Sequence, residues 1–171
     1  MKGLICAGGL ATRLGELTRV TNKHLLPVGG WPMVYYPLQL LQLAGVQEVL
    51  VVTGKHHAGQ MIDLLGDGRL TSRDGSGPLL DVDLTYKVQT EPGGIAQVVG
   101  MAREFARGDG LVVVLGDNIF ERSQCDVLRS WGERPADVER RCGADDEDAR
   151  DKDERAWHEL GVLDAHEHVR P

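Results

Sequence analysis

The sequence predicts an α/β fold of three layers, with helices on both sides of a mostly parallel sheet. Three observations predict it. Short apolar runs end in glycines, as buried strands do. Segments with helical spacing of apolar residues separate those runs. Two of the runs close on small-residue turns, Ala7-Gly8-Gly9 and Gly116-Asp117, which such a sheet brings to the carboxyl ends of its strands.

The elements follow in order. Gly3 to Cys6 is short and apolar and runs into glycines, so it reads as the first buried strand, and residues 7–15 as a loop. Val34, Leu38, Leu41 and Ala44 recur at helical spacing, which predicts a helix over Met33 to Ala44 with Gly45 as its stop. Glu48 to Thr53, with Val49-Leu50-Val51-Val52 inside it, is a second buried strand. His57 to Leu65 reads as a helix stopped by Gly66, and Gly66 to Pro78 as a loop. Val82 to Val88 alternates as a third strand, and Ile95 to Phe105 reads as one helix. Leu111 to Leu115 (LVVVL) is the clearest buried strand of all. Past Arg122 the character changes: between Gly132 and Arg155 about two thirds of the residues are charged, including the run Asp145-Asp146-Glu147-Asp148, and apolar periodicity is lost. That divides the chain into residues 1–122, which form a domain, and 123–171, a charged and poorly ordered tail.

At 171 residues the chain has the size of one domain and can bury a core. Its formal net charge of -7 argues against nucleic acid and anionic membrane surfaces as partners. A small phosphate ligand stays open, because a phosphate pocket is a local arrangement of N–H groups and a few cations. Cys6, Cys125 and Cys142 are far apart and form no CxxC pair, so neither a disulfide framework nor a zinc site is expected. The start MKGLICAGG is too short for a signal-peptide core or a membrane span, which leaves a cytoplasmic protein as the expectation.

Two motifs carry candidate chemistry. In Ala7-Gly8-Gly9-Leu10-Ala11-Thr12-Arg13-Leu14, directly after a strand, paired glycines let the backbone approach a ligand and turn N–H groups to its phosphates. Arg13 can then fork onto phosphate oxygens. The pattern is neither GxGxxG nor a Walker loop, and a structural turn with a surface arginine would look the same. In Thr21-Asn22-Lys23-His24-Leu25-Leu26-Pro27-Val28, Lys23 is either a cation placed for a pyrophosphate or a solvated surface lysine. Asp117 after its strand is either a metal ligand or a helix N-cap. Gln89, read alone, is a strand-end amide, and His56-His57 a solvated helix start. His158, His166 and His168 read as exposed tail residues, and Cys6 as a small buried apolar residue.

Taken together these motifs resemble a known family. Gly8-Gly9, Thr12-Arg13-Leu14, Lys23, Leu26-Pro27-Val28 and Pro32-Met33-Val34-Tyr35-Tyr36-Pro37-Leu38 resemble the N-terminal signature of the nucleotide-sugar pyrophosphorylases. The likeness continues through Leu65-Gly66-Asp67-Gly68, Tyr86-Lys87-Val88-Gln89, Gly94-Ile95-Ala96-Gln97 and Leu115-Gly116-Asp117-Asn118-Ile119-Phe120. It is nearest to the glucose-1-phosphate thymidylyltransferases. The resemblance implies a Rossmann-like nucleotidyltransferase fold, here cut short after the metal-binding strand. It implies transfer of a thymidylyl group from dTTP to glucose 1-phosphate with Mg²⁺, for deoxysugar biosynthesis, in a family whose members commonly form homo-oligomers. Residue by residue, Gly8, Gly9, Ala11 and Thr12 would contact the triphosphate. Arg13 and Lys23 would hold the phosphates, and Gln89 would read the pyrimidine edge. Gly94 would pack against the base or sugar, and Asp117 would ligate Mg²⁺. Uridylyl and cytidylyl transfer remain open within the class, as does an inactive remnant that binds nucleotide or serves a full-length relative.

The chain departs from the family pattern in places. Ala11 stands where glycine is usual, at a cost of about 1 kcal/mol if the loop needs positive φ there. Gly29-Gly30-Trp31 replaces a more polar stretch, and residues 69–80 are longer than is typical. Past Arg122 nothing resembles the family's second half, which supplies much of the sugar site and a second aspartate. A truncated member or a frame-shifted tail is the expectation.

Overall fold

The computed structural model describes residues 1–9, 21–72, 77–120 and 124–132. Ala11, Thr12, Arg13 and the tail histidines lie outside the described residues. The chain divides into two compact units, Met1–Ile119 and Phe120–Pro171.

In the first unit, β1 (Lys2–Ala7) and β4 (Glu48–Gly54) form the middle of a four-stranded sheet flanked by β7 (Asp83–Gln89) and β8 (Leu111–Leu115). The order is β7-β4-β1-β8, and all three pairings are parallel. Leu4 stands beside Leu50 on one side and Val113 on the other, so alternate residues along these strands share a face. Val49, Leu50, Val51 and Val52 are all fully buried, because the sheet is covered on both sides and an unbroken apolar run suits such a strand.

The two faces are built from different helices. Helix α1 (Tyr35–Leu43) packs so closely on β1 that a Cβ at Gly3 would stand 2.9 Å from Leu41 Cδ1. The helix closes as the sequence predicts. Gly45 takes φ +85, its N–H donates to the Gln42 carbonyl (2.9 Å), and the Val46 N–H donates to Leu41 (3.0 Å). On the opposite face α3 (Gly94–Met101) and the short α4 (Arg103–Ala106) place Val98, Ala102 and Phe105 against Leu4, Leu50 and Val52. Lys2 ties the rim together: its Nζ donates to the Phe105 carbonyl (3.1 Å), pairs with Glu48 (3.2 Å) and lies over the Phe105 ring.

Two predicted elements need correction, and one hairpin was not predicted. The helix over Ile95 to Phe105 is two helices broken at Ala102, where the Met101 carbonyl accepts from Lys87 Nζ (2.8 Å). The loop over Gly66 to Pro78 contains β5 (Arg69–Thr71), which pairs with β6 (Pro78–Asp81) through Leu70 opposite Leu80. Leu80 is 2 % exposed, and its burial stabilises a hairpin that the polar composition conceals. Pro27-Val28-Gly29-Gly30-Trp31-Pro32 is also a hairpin, of β2 (Pro27–Val28) with β3 (Trp31–Pro32). Gly29 (φ +57) and Gly30 (φ +90) fit the mirror-image turn that two-residue hairpins favour. Helix α2 (Ala58–Leu65) follows β4 and ends at Gly66 as expected. In the second unit the described residues form α5 (Cys125–Gly132).

Candidate active site

The carboxyl ends of β1, β4 and β7 open onto a cavity of about 640 Å³. Gly8 and Gly9 floor it after β1, Gly54 to His57 line it after β4, and Gln89 to Pro92 line it after β7. Thr21, Asn22 and Lys23 close the remaining wall. This is where a parallel sheet collects ligand-binding groups, because each strand ends there and each following loop is free to vary. Gly8, Gly9, Lys23 and Gln89, singled out from the sequence, therefore share one cavity. Asp117 joins it through Lys23. Gly94 is outside the lining residues; it opens α3 with φ +77.

Lys23 is held by a built turn. The Asn22 Nδ2 donates to the Ala7 carbonyl (3.0 Å), and its Oδ1 accepts the backbone N–H of His24 (3.1 Å). Those two backbone partners fix the amide's orientation, so the His24 Nδ1 that faces the same Oδ1 must carry the proton. His24 is 1 % exposed, and its ring fills the space that a Cβ on Gly116 would need, 2.7 Å from Cδ2. Burial, with the Lys23 charge beside it, pushes its pKa down to about 4. A neutral imidazole thus braces the turn from inside. The sequence motif contains His24, but nothing in its spacing marks it as buried.

The turn aims Lys23 across the sheet edge at Asp117, with which its Nζ forms a close ion pair. Burial pushes the Asp117 carboxyl up, but the Lys23 hydrogen bond and charge outweigh it and hold the group below the usual carboxylate range. No described helix starts at Asp117, which sits in a turn after β8, so it is not an N-cap. Nor is Lys23 a solvated surface lysine, since its side chain is 23 % exposed. Cys6 is half-buried below them; burial and the Asp117 charge push its thiol up to about 11, so it stays protonated near neutrality.

Gln89 is 7 % exposed rather than a free strand-end amide. Its Nε2 donates to Gln97 Oε1 (2.5 Å), and its own Oε1 sits where a Cβ on Gly8 would be, 2.6 Å away. Lys55 pairs with Glu91 (3.1 Å) across the rim. His56 and His57, read from the sequence as solvated, are exposed and half-exposed and both line the cavity. Lys55 and Glu91 carried no signal in the sequence, since their pairing joins separate loops; Gln97 lies within a motif, but nothing there marks its contact with Gln89. Among the described residues no group of three His, Cys, Asp or Glu could hold a metal ion by itself. A lone carboxylate completed by substrate phosphates remains a fit for Mg²⁺, which keeps much of its water and takes few protein ligands. Among the described residues no helix is long and apolar enough to cross a membrane.

Comparison with known proteins agrees with this fold. The model of the nucleotidyl transferase family matches residues 2–152. The chain belongs to that family. Glucose-1-phosphate thymidylyltransferase from Neisseria meningitidis serogroup A is 45% identical over 120 residues, which are 70% of this chain and 38% of that protein. The Xanthomonas campestris protein of the same name is 41% identical over 129 residues, 75% of this chain and 41% of its own length. Among solved structures, a Bacillus anthracis protein assigned as a glucose-1-phosphate thymidylyltransferase, in complex with a sucrose, superposes with a TM-score of 0.67 at 41% identity. The match covers 77% of this chain and 50% of that one. A UDP-glucose pyrophosphorylase shares the fold, with a TM-score of 0.60 at 18% identity over 77% of this chain and 51% of its own. This nucleotidyl transferase family chain spans about two fifths of the length of the curated relatives it matches.

Proposed function

We propose that the cavity binds dTTP and that this chain supplies the nucleotide half of thymidylyl transfer to glucose 1-phosphate. The observation that carries the proposal is the Lys23–Asp117 pair beside the Gly8-Gly9 turn, with the Gln89 amide across the same cavity. A phosphate oxygen of glucose 1-phosphate attacks the α-phosphorus of dTTP. The bond from that phosphorus to the bridging oxygen breaks, and dTDP-glucose and pyrophosphate result. The attacking oxygen is ionised near neutrality, so the step needs alignment and positive charge rather than a general base. Lys23 neutralises the phosphates and charge that develops on the leaving pyrophosphate. Arg13, outside the described residues, adds a second cation. Gln89 orients the base. Asp117 would hold Mg²⁺, which when bound polarises phosphoryl oxygens. Such a reaction feeds deoxysugar and antibiotic biosynthesis, and we assign it to the cytoplasm.

Pyrophosphate release from dTTP, glucose 1-phosphate and Mg²⁺ tests the reading. The expected result is turnover that Lys23→Ala and Asp117→Asn each lower by about 100-fold or more, the usual scale for losing a group that meets developing charge. Turnover indifferent to both substitutions would overturn it. A second reading is nucleotide binding without transfer. Saturable dTTP binding with no pyrophosphate release is its signature.

A further inference from the structure

A side-chain amide presents a donor and an acceptor that exchange places when it flips. The two orientations read opposite partners. With Oε1 forward to the ring N3 and Nε2 beside it, an amide matches thymine and uracil, which offer an N3–H donor next to a carbonyl. Flipped, it matches cytosine, which offers an N3 acceptor next to an amino donor. A glutamine at the base edge of a pyrimidine site therefore discriminates only if something fixes which way round it lies.

Here something does. The Gln97 Oε1 accepts the backbone N–H of Gly93 (2.9 Å). A backbone N–H can only donate, so the Gln97 atom at that point is the oxygen. The same oxygen faces the Gln89 amide, and an oxygen accepts, so the Gln89 atom turned to it is the nitrogen. Its Oε1 is thereby left beside Gly8 at the cavity floor. Two glycines permit the arrangement: a Cβ at Gly8 would displace the Gln89 oxygen, and one at Gly93 would displace the Gln97 oxygen. Capping the start of α3 explains the bond to Gly93 but leaves the bond to Gln89 unexplained.

We propose that Gln97 is a specificity-determining positioning residue, which locks the Gln89 amide in the orientation that admits thymine and uracil and rejects cytosine. The proposal rests on the reading of this cavity as a pyrimidine nucleotide site. It does not separate dTTP from UTP.

Calorimetric titration of the full chain with dTTP, UTP and CTP tests it. The expected result is a wild-type preference for dTTP and UTP over CTP of about tenfold or more, the scale set by unpaired buried polar groups. In Gln97→Leu, with the amide free to flip, the gap closes to about threefold or less, chiefly through tighter CTP binding. Gln97→Glu keeps an acceptor for both donors and restores the preference. A Gln97→Leu chain that folds, binds dTTP and keeps the full preference overturns the inference while leaving the pyrimidine reading in place. Wild-type protein that binds none of the three overturns both. The wild-type Gln89 side-chain amide supplies a check independent of any variant: its nitrogen-bound protons exchange slowly with solvent in nuclear magnetic resonance spectra, and free exchange counts against the lock.

Discussion

At the scale of single residues the sheet edge depends on small atoms in fixed places. A methyl at Gly8 would meet the far end of the Gln89 side chain and no backbone atom closer than 3.5 Å. Gly8→Ala should therefore cost less than about 1 kcal/mol in stability yet lower dTTP affinity about tenfold by displacing the amide, which urea unfolding and calorimetry together resolve. His24 gives a pH dependence with a definite sign. Its pKa of about 4 in the folded chain lies below the ordinary 6.5, so between those values the unfolded chain binds a proton that the folded chain refuses. Stability contributed by the neutral ring is present above about pH 6.5 and is lost progressively as pH falls to 4, by on the order of 3 kcal/mol. Urea midpoints at pH 7 and pH 4.5 should converge in His24→Gln relative to wild type; an equal drop in both would assign the loss elsewhere. Lys23, Gln89 and Asp117 were legible as candidates because their types recur in a recognisable order. Gln97 and His24 were not, since what they do is set by an amide's orientation and by burial, neither of which spacing records.

At the scale of elements, the long periodic segments declared themselves and the two-residue strands did not. The helix α1 stop at Gly45 and the β8 run of valines are local signals. The β2–β3 ladder is too short to show a period, and Gly29-Gly30 gives its turn away only once the flanking strands are seen to pair. That turn yields a test separating strain from crowding. Nothing lies within 4 Å of a Cβ at Gly30, whose φ is +90. Gly30→Val should still cost about 1–3 kcal/mol, and Gly30→Asn much less, because asparagine tolerates the left-handed region. Equal costs for the two would point to packing instead. The break between α3 and α4 was likewise illegible, because the Lys87 bond at Met101 joins residues far apart in sequence.

At the scale of the whole molecule, the order β7-β4-β1-β8 makes two strands interior and two marginal. The α/β class and the collection of candidate residues at one sheet edge were both legible, since alternation of strand and helix dictates them. Strand order was not, because it depends on which crossovers return to which side. Amide hydrogen exchange should therefore be slowest in β1 and β4, whose backbones pair on both sides, and faster in β8, where Val113 is 40% exposed although it sits in an apolar run. Uniform protection across the four strands would contradict that ranking.

One consequence follows from the ion pair of Lys23 with Asp117. The cation that would meet a phosphate and the carboxylate that would meet a metal serve as each other's counterion. An anion arriving alone must strip the lysine and strand the carboxylate; a divalent cation arriving alone must do the reverse. Arriving together, they exchange one pair for two and leave neither group unmatched. An ion pair of this kind would make the pocket indifferent to stray ions of either sign, and each partner would raise the affinity for the other by the same factor.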